Sequence, residues 1–197
     1  WLNLSALKVE SLNLETGRRL PFRVKAQAGA EWKLEPNFGE LQSWVREPEV
    51  FVVSDPAGNE LDRTYYQLGS LLDNLYRFDG CLGICWEKGR PVLRVWAPTA
   101  RKVSVAWEKG NTAPLNKASQ GVWELAGESA WKNKAYRLAV EVFTPASGKV
   151  ETHLTTDPYS LALTENSQSS LVVDPNDPSL KPAGWGKSRP PLAARSD

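Results

Sequence analysis

Two neighbouring stretches decide the fold: Leu93-Arg94-Val95-Trp96-Ala97-Pro98-Thr99-Ala100, and then Lys102-Val103-Ser104-Val105. Both contain short runs of apolar residues, and similar runs follow at 122–125 and 136–143. Turn-forming residues separate these runs at Lys109-Gly110-Asn111, Gln120-Gly121 and Ala146-Ser147-Gly148. Short strands at regular intervals with turns between them indicate an antiparallel β-sandwich.

The chain before this stretch shows a similar pattern. Apolar residues alternate with polar ones from Leu2 to Leu14, and Phe22, Val24 and Ala26 repeat the period of two. A further strand is predicted over 49–53, and the turn chemistry of Ser54 to Asn59 predicts a hairpin after it. These patterns are typical of half-buried strands.

The spacing of apolar residues changes between Tyr65 and Tyr76, and we predict the domain junction there. Leucines at 68, 71, 72 and 75 have helical spacing, and the segment ends at Arg77-Phe78-Asp79-Gly80. We therefore predict an all-β chain of two tandem immunoglobulin-like β-sandwich modules, residues 1–75 and 76–175. Prolines dominate the rest, so residues 176–197 are predicted to form an extended connector that docks on a surface.

Composition narrows the class of partner. The 197 residues are 41% hydrophobic with a formal net charge of +1, and charges of both signs are interspersed. This balance gives no reason to expect nucleic acid or an anionic membrane, and no run is apolar enough to span a bilayer. A neutral partner is favoured.

Residues that could carry catalysis are sparse. The single histidine, His153, lies in an alternating segment that predicts a strand-edge position. No Cys/His cluster has zinc spacing, no glycine-rich loop fits a phosphate, and Asp174 and Asp177 precede prolines as turn residues do. We assign no catalytic residue, no metal and no cofactor.

Cys81 and Cys85 are the only cysteines. In an extended strand their Cα atoms would be about 13 Å apart, too far for a disulfide. We therefore predict free thiols, which favour a reducing compartment such as the cytoplasm or a plastid.

Tryptophan is enriched, with nine residues. Sugars stack their C–H faces on exposed aromatic rings, so a tryptophan at a loop is a candidate for glycan contact, although a core position is the alternative. Trp107 ends a predicted strand and Trp131 precedes the loop Lys132-Asn133-Lys134, which makes both glycan candidates. Trp123 alternates with Leu125 and is predicted to lie in the core.

The stretch at 93–105 closely resembles the opening of the family-48 carbohydrate-binding module that precedes the barrel of starch-debranching enzymes. Two later stretches resemble the pullulanase and limit-dextrinase branch in the same order. They are Thr156-Asp157-Pro158-Tyr159-Ser160 with Leu163, and Val173-Asp174, Asn176-Asp177, Leu180-Lys181-Pro182 with Gly184-Trp185.

The resemblance implies roles for individual positions. It implies that Trp96 packs internally and that Arg137 stands near the lysine of glycan-binding relatives, so Arg137 joins the glycan candidates. The loop 108–111 lacks the tryptophan expected there, and Lys149-Val150 occupies the position of a second one. Independent glycan binding is therefore expected to be weak or absent.

The resemblance also implies a function. The chain is expected to be a non-catalytic amino-terminal part of an enzyme that hydrolyses α-1,6-glucosidic linkages in pullulan, starch, glycogen or limit dextrins. Its partners would be a catalytic (β/α)8 barrel of about 250 residues, expected beyond Ser196-Asp197, and α-glucan. The alternatives are a free-standing glucan-binding module and a regulatory interaction module.

Overall fold

The computed structural model describes residues 7–28, 31–35, 45–65 and 69–185. These residues form antiparallel sheets with one α-helix, α1 (Gly69–Leu75), which confirms the predicted all-β sandwich fold class. None of the described helices is long and apolar enough to cross a membrane.

The first region is one antiparallel sheet within the described residues. Its strands, in the order β3-β2-β1-β4-β5, are β1 (Lys8–Asn13), β2 (Arg19–Ala28), β3 (Glu31–Glu35), β4 (Glu49–Ser54) and β5 (Glu60–Tyr65). The predicted hairpin is confirmed, because β4 pairs with β5 and the Asp55 carboxylate accepts hydrogen bonds from the backbone and side-chain amides of Asn59, both at 2.8 Å.

The second region is a sandwich of two sheets. One sheet has the order β10-β11-β7-β6, and the other has the order β13-β12-β8-β9 with β14 paired to β12. The strands are β6 (Gly83–Glu87), β7 (Arg90–Trp96), β8 (Lys102–Trp107), β9 (Thr112–Pro114), β10 (Asn116–Lys117), β11 (Val122–Ala126), β12 (Ala135–Thr144), β13 (Lys149–Thr155) and β14 (Ser170–Leu171).

Side chains that alternate along the strands fill the space between these sheets. Leu93 and Val95 of β7 face Val103 and Val105 of β8, and all four are at most 3% exposed. Trp123 joins this core at 7% exposure, as predicted from its alternation with Leu125. The core therefore follows from the period-two pattern of the sequence.

A buried hydrogen-bond network fixes the chain after β13. The Tyr136 hydroxyl donates to the Asp157 carboxylate at 2.7 Å, and the Asp157 amide donates to Ser170 Oγ at 2.8 Å. Burial and the Asp157 charge raise the pKa of Tyr136 well above its ordinary value, so the phenol stays a donor. Burial also raises the pKa of Asp157, although the bond from Tyr136 opposes this shift.

Arg101 joins the two regions. Its Nε donates to the Arg46 carbonyl at 3.0 Å, and its two terminal nitrogens donate to the Glu15 carboxylate at 3.0 and 2.9 Å. The Tyr65 and Phe143 rings add a contact, with their centroids 5.9 Å apart. The first sheet therefore packs against the sandwich through a mixed polar and aromatic seam.

The prediction of free thiols is wrong, because Cys81 and Cys85 form a disulfide with a Cα–Cα distance of 6.1 Å. The segment is not extended: Gly83 has φ +77°, a conformation that glycine adopts without strain and that turns the chain between the two cysteines. The basis for favouring a reducing compartment is thereby removed.

The described part of the proline-rich tail is turned rather than extended. Residues 178–180 form a 3₁₀ turn that Asp177 caps by accepting from the Ser179 amide at 2.9 Å, and Asp174 accepts from the Asn176 amide at 3.0 Å. These bonds confirm the predicted turn roles of both aspartates. An ion pair between Lys132 and Asp177 holds the tail on the sandwich. Residues 186–197 of the predicted connector lie outside the described residues.

Candidate functional site

Two of the three predicted glycan residues lie together at one end of the sandwich. Trp107 ends β8 and Trp131 lies in a short 3₁₀ turn, and their rings meet edge to face with centroids 4.7 Å apart. Both are half-buried and pack against the core, and Trp107 is also 6.0 Å from the Tyr136 ring. Trp131 lies so close to Gly127 that a Cβ there would come within 2.4 Å of the indole.

Arg137 lies on the opposite face of the same sheet. Tyr136 pairs with Trp107 and points into the core, so the next residue, Arg137, opposite Ala106, points outward. One of its terminal nitrogens donates to the Leu154 carbonyl at 3.2 Å. The structure therefore does not bring Arg137 together with the two tryptophans, and the role of these three residues in glycan contact stays a prediction.

A groove of about 390 Å³ runs beside Trp107. Its polar lining includes Glu108, Lys109 and Lys134, so two cations face one carboxylate. Trp107 is the only aromatic residue among those that line it.

A larger groove of about 570 Å³, the aromatic groove, lies where α1 meets the sandwich. Tyr76, Phe78, Trp96 and Tyr159 give it four aromatic rings. Leu82 and three polar residues that follow one another closely in the chain complete the lining: Asp73, Asn74 and Arg77.

Trp96 was expected to pack internally, and the structure corrects this. The core-facing residues of β7 are Leu93 and Val95, so Trp96 belongs to the outer face and is half-buried at the aromatic groove. Its indole N–H donates to the Tyr76 carbonyl at 2.8 Å, which fixes the ring against the segment after α1. Because most residues of β7 are apolar, the sequence does not show which of them face the core and which face outward.

Two glycines allow the walls of the aromatic groove to approach closely. A Cβ at Gly80 would lie 2.4 Å from Cζ of Phe78, and a Cβ at Gly83 would lie 2.6 Å from the Tyr159 carbonyl oxygen. The disulfide between Cys81 and Cys85 brackets Leu82 on the same wall. The sequence does not reveal this site, because its four rings come from three separate segments of the chain.

The described residues contain no group of three His, Cys, Asp or Glu side chains placed to hold a metal ion. His153 lies on the edge strand β13 as predicted, with its Nε2 2.9 Å from Thr144 Oγ1. Its side chain is 51% exposed.

Comparison with known proteins agrees with this geometry. Residues 81–160 match the model of Carbohydrate-binding module 48 (Isoamylase N-terminal domain). This match and the two facing sheets make that part of the chain similar to β-sandwich carbohydrate-binding modules.

The particular resemblance is to pullulanases. Pullulanase of Klebsiella pneumoniae is 33% identical over 176 residues, which are 85% of this chain and 16% of that protein. Pullulanase 1, chloroplastic, of Arabidopsis thaliana is 31% identical over 167 residues, 80% of this chain and 17% of that protein. A crystal structure of Klebsiella pneumoniae pullulanase complexed with maltotriose superposes with a TM-score of 0.80 at 26% identity, covering 91% of this chain and 20% of that chain. The chain thus resembles the amino-terminal region of pullulanases, as predicted, and spans about a sixth of the length of these curated relatives.

Proposed function

We propose that this chain is the non-catalytic amino-terminal region of a pullulanase-type debranching enzyme. The parent enzyme would hydrolyse α-1,6-glucosidic linkages in pullulan, starch, glycogen or limit dextrins. The observation that carries the proposal is the similarity to two pullulanases over at least 80% of this chain, which covers about a sixth of each relative. The region then supports a catalytic barrel and contacts α-glucan.

The surface after β13 supports a partner domain. Leu161, Leu163 and Leu180 are 70%, 45% and 54% exposed, and Trp185 is 67% exposed. A row of exposed apolar side chains marks an interaction surface, so this strip, residues 161–185, fits the surface of a neighbouring barrel.

Contact with α-glucan is supported by the family match and by the maltotriose in the Klebsiella pneumoniae structure. The chain bears both signs of charge in nearly equal number, which suits a neutral polysaccharide. Hydrolysis itself needs two carboxyl groups across a sugar ring, and we assign that pair to the barrel.

A chimera tests this proposal. In it, this chain replaces the aligned segment of Klebsiella pneumoniae pullulanase, and release of reducing sugar from pullulan is measured. We expect the chimera to hydrolyse pullulan and the isolated chain to release none.

A deletion of the same segment serves as the control and should lose activity or solubility. A chimera no better than the deletion would contradict the supporting role. Hydrolysis by the isolated chain that one Asp or Glu substitution abolishes would contradict the non-catalytic assignment.

A further inference from the structure

The aromatic groove has the lining of a binding site for a neutral sugar. Its volume of about 570 Å³ is within the range of small-molecule sites, which combine an apolar wall with a few polar groups. Among its rings, Tyr159 is 41% exposed, while Phe78 and Trp96 are half-buried. Such rings offer faces on which the C–H groups of a pyranose can stack.

The polar groups of the groove suit hydroxyl groups. Asp73 accepts hydrogen bonds, Arg77 donates them, and the Asn74 amide can do both. One carboxylate and one guanidinium leave the lining without net charge, which favours a neutral ligand. Arg77 pairs with Asp79 at 3.2 Å, but both side chains are more than three-quarters exposed, so little is lost when Arg77 turns to a ligand.

The groove walls are held in place before any ligand arrives. Trp96 is fixed by its bond to the Tyr76 carbonyl, and the Phe78 ring lies directly on Gly80. Gly83 admits the Tyr159 backbone at a distance that a side chain would forbid, and the disulfide between Cys81 and Cys85 fixes the loop between them. Pre-organised walls lose little conformational entropy on binding, which strengthens a weak stacking site.

The groove beside Trp107 is a poorer candidate. Trp107 is the one aromatic ring that lines it. Trp131 packs edge to face against Trp107 with centroids 4.7 Å apart, which covers part of the surface on which a sugar could stack. Its charged groups, with Lys109 and Lys134 against Glu108, carry net positive charge and favour an anion over a neutral sugar.

We propose that the aromatic groove binds a linear α-1,4-linked gluco-oligosaccharide, with Phe78, Trp96 and Tyr159 as stacking residues and Asp73, Asn74 and Arg77 as hydrogen-bonding residues. The ligand class rests on the proposed function, whereas the location rests on the groove itself. The site lies on the face of the sandwich beside α1, apart from the three positions predicted from the sequence.

Calorimetric titration of the 197-residue chain with maltoheptaose tests the proposal. Wild-type protein should bind at millimolar ligand, and Tyr159→Ala should weaken binding at least about tenfold by removing an exposed stacking face. Gly80→Ala should weaken binding as well while leaving every aromatic residue in place, because the new Cβ must displace the Phe78 ring.

Leu161→Ala is the matched control, because Leu161 is 70% exposed and only two residues from Tyr159. It should bind as wild type does, and circular dichroism should show all variants folded. Cellohexaose, whose linkages are β-1,4, should bind more weakly than maltoheptaose.

Absence of wild-type binding, or binding that survives both Tyr159→Ala and Gly80→Ala, would overturn the site. Equal affinity for cellohexaose would overturn the α-glucan assignment. Neither result changes the pullulan hydrolysis of the chimera, so failure of this inference is distinguishable from failure of the proposed function.

Discussion

The two regions of the chain bury different proportions of polar groups. In the first region, Ser11, Asn13 and Glu49 are at most 2% exposed in an interior that also contains buried valines, whereas the centre of the sandwich consists of Leu93, Leu138 and their apolar neighbours. Glu49 Oε1 accepts hydrogen bonds from Asn13 and Arg18, at 3.1 and 3.0 Å. Its second oxygen is buried without a hydrogen-bond partner among the described residues.

This difference shows where the fold draws its stability. A buried polar group offsets its lost hydration only when its hydrogen bonds are complete. Each buried apolar side chain, in contrast, stabilises the folded state because it leaves water. The sandwich core should therefore stabilise the chain more than the polar interior of the first region. Residues 81–160, which carry the family match, supply most of this core.

The largest effect is expected at the centre of the sandwich. Leu93→Ala removes a fully buried side chain and leaves a cavity, so the free energy of unfolding should fall by about 2–5 kcal/mol. Urea unfolding followed by circular dichroism measures it. Leu154→Ala, at a position 48% exposed, should change stability by less than about 0.5 kcal/mol. A Leu93→Ala cost no larger than that of Glu49→Gln would invalidate the comparison.

The next largest effect is expected at the hydrogen bond between Tyr136 and Asp157 inside the sandwich. Tyr136→Phe removes the donor to Asp157 and should cost about 1–3 kcal/mol at pH 7. Burial already raises the pKa of Asp157, so its protonated form favours the folded state: this stabilisation is complete below the unfolded value of 3.8 and is lost as pH rises through the folded pKa.

Without Tyr136 the pKa of Asp157 should rise further, because the lost hydrogen bond had lowered it. The cost of Tyr136→Phe should therefore be smaller at pH 3 than at pH 7, as measured by urea unfolding at both values. A cost independent of pH would mean that Asp157 does not titrate with this network.

In the first region, the polar interior predicts a smaller effect. Glu49→Gln keeps an oxygen that can accept hydrogen bonds but loses the charge facing Arg18, whose side chain is 48% exposed and remains solvated. We expect a loss of about 1 kcal/mol in the free energy of unfolding. Glu60→Gln breaks a similar pair with Arg63 at an exposed position and should cost less. Equal costs would show that burial of Glu49 adds nothing.

The smallest effect is expected at the seam. Arg101→Ala removes partly exposed ion pairs to Glu15 and Glu47 and should lower overall stability by less than about 1 kcal/mol. It should, however, separate the thermal unfolding of the two regions in a calorimetric scan, since the bond to the Arg46 carbonyl is also lost. Arg63→Ala should leave the transitions together.

Much of the fold could be predicted because several of its strands alternate between apolar and polar residues. The strands β4, β8 and β12 fall where period-two patterns were found, and α1 falls where leucines have helical spacing. These patterns are local, because residues close together in the sequence are enough to recognise them.

The remaining features depend on contacts between distant segments or on one backbone angle. The disulfide between Cys81 and Cys85 depends on the positive φ of Gly83, which spacing alone does not reveal. Tyr136 and Asp157 are 21 residues apart and meet only in the folded chain. The aromatic groove is assembled in the same way: Trp96 and Tyr159 belong to two stretches that carry the resemblance, but neither stretch indicates that the two rings meet.

The tryptophan side chains supply built-in spectroscopic reporters. The indole N–H groups of Trp86, Trp96 and Trp123 donate to the carbonyls of Val173, Tyr76 and Ala97 at 2.8, 2.8 and 3.0 Å. Each bond joins a different pair of segments: the sandwich and its carboxy-terminal segment, the sandwich and the segment after α1, and β11 and the end of β7. In an NMR spectrum these three indole protons should exchange slowly with solvent. Loss of protection at any one of them would identify which pair of segments has separated.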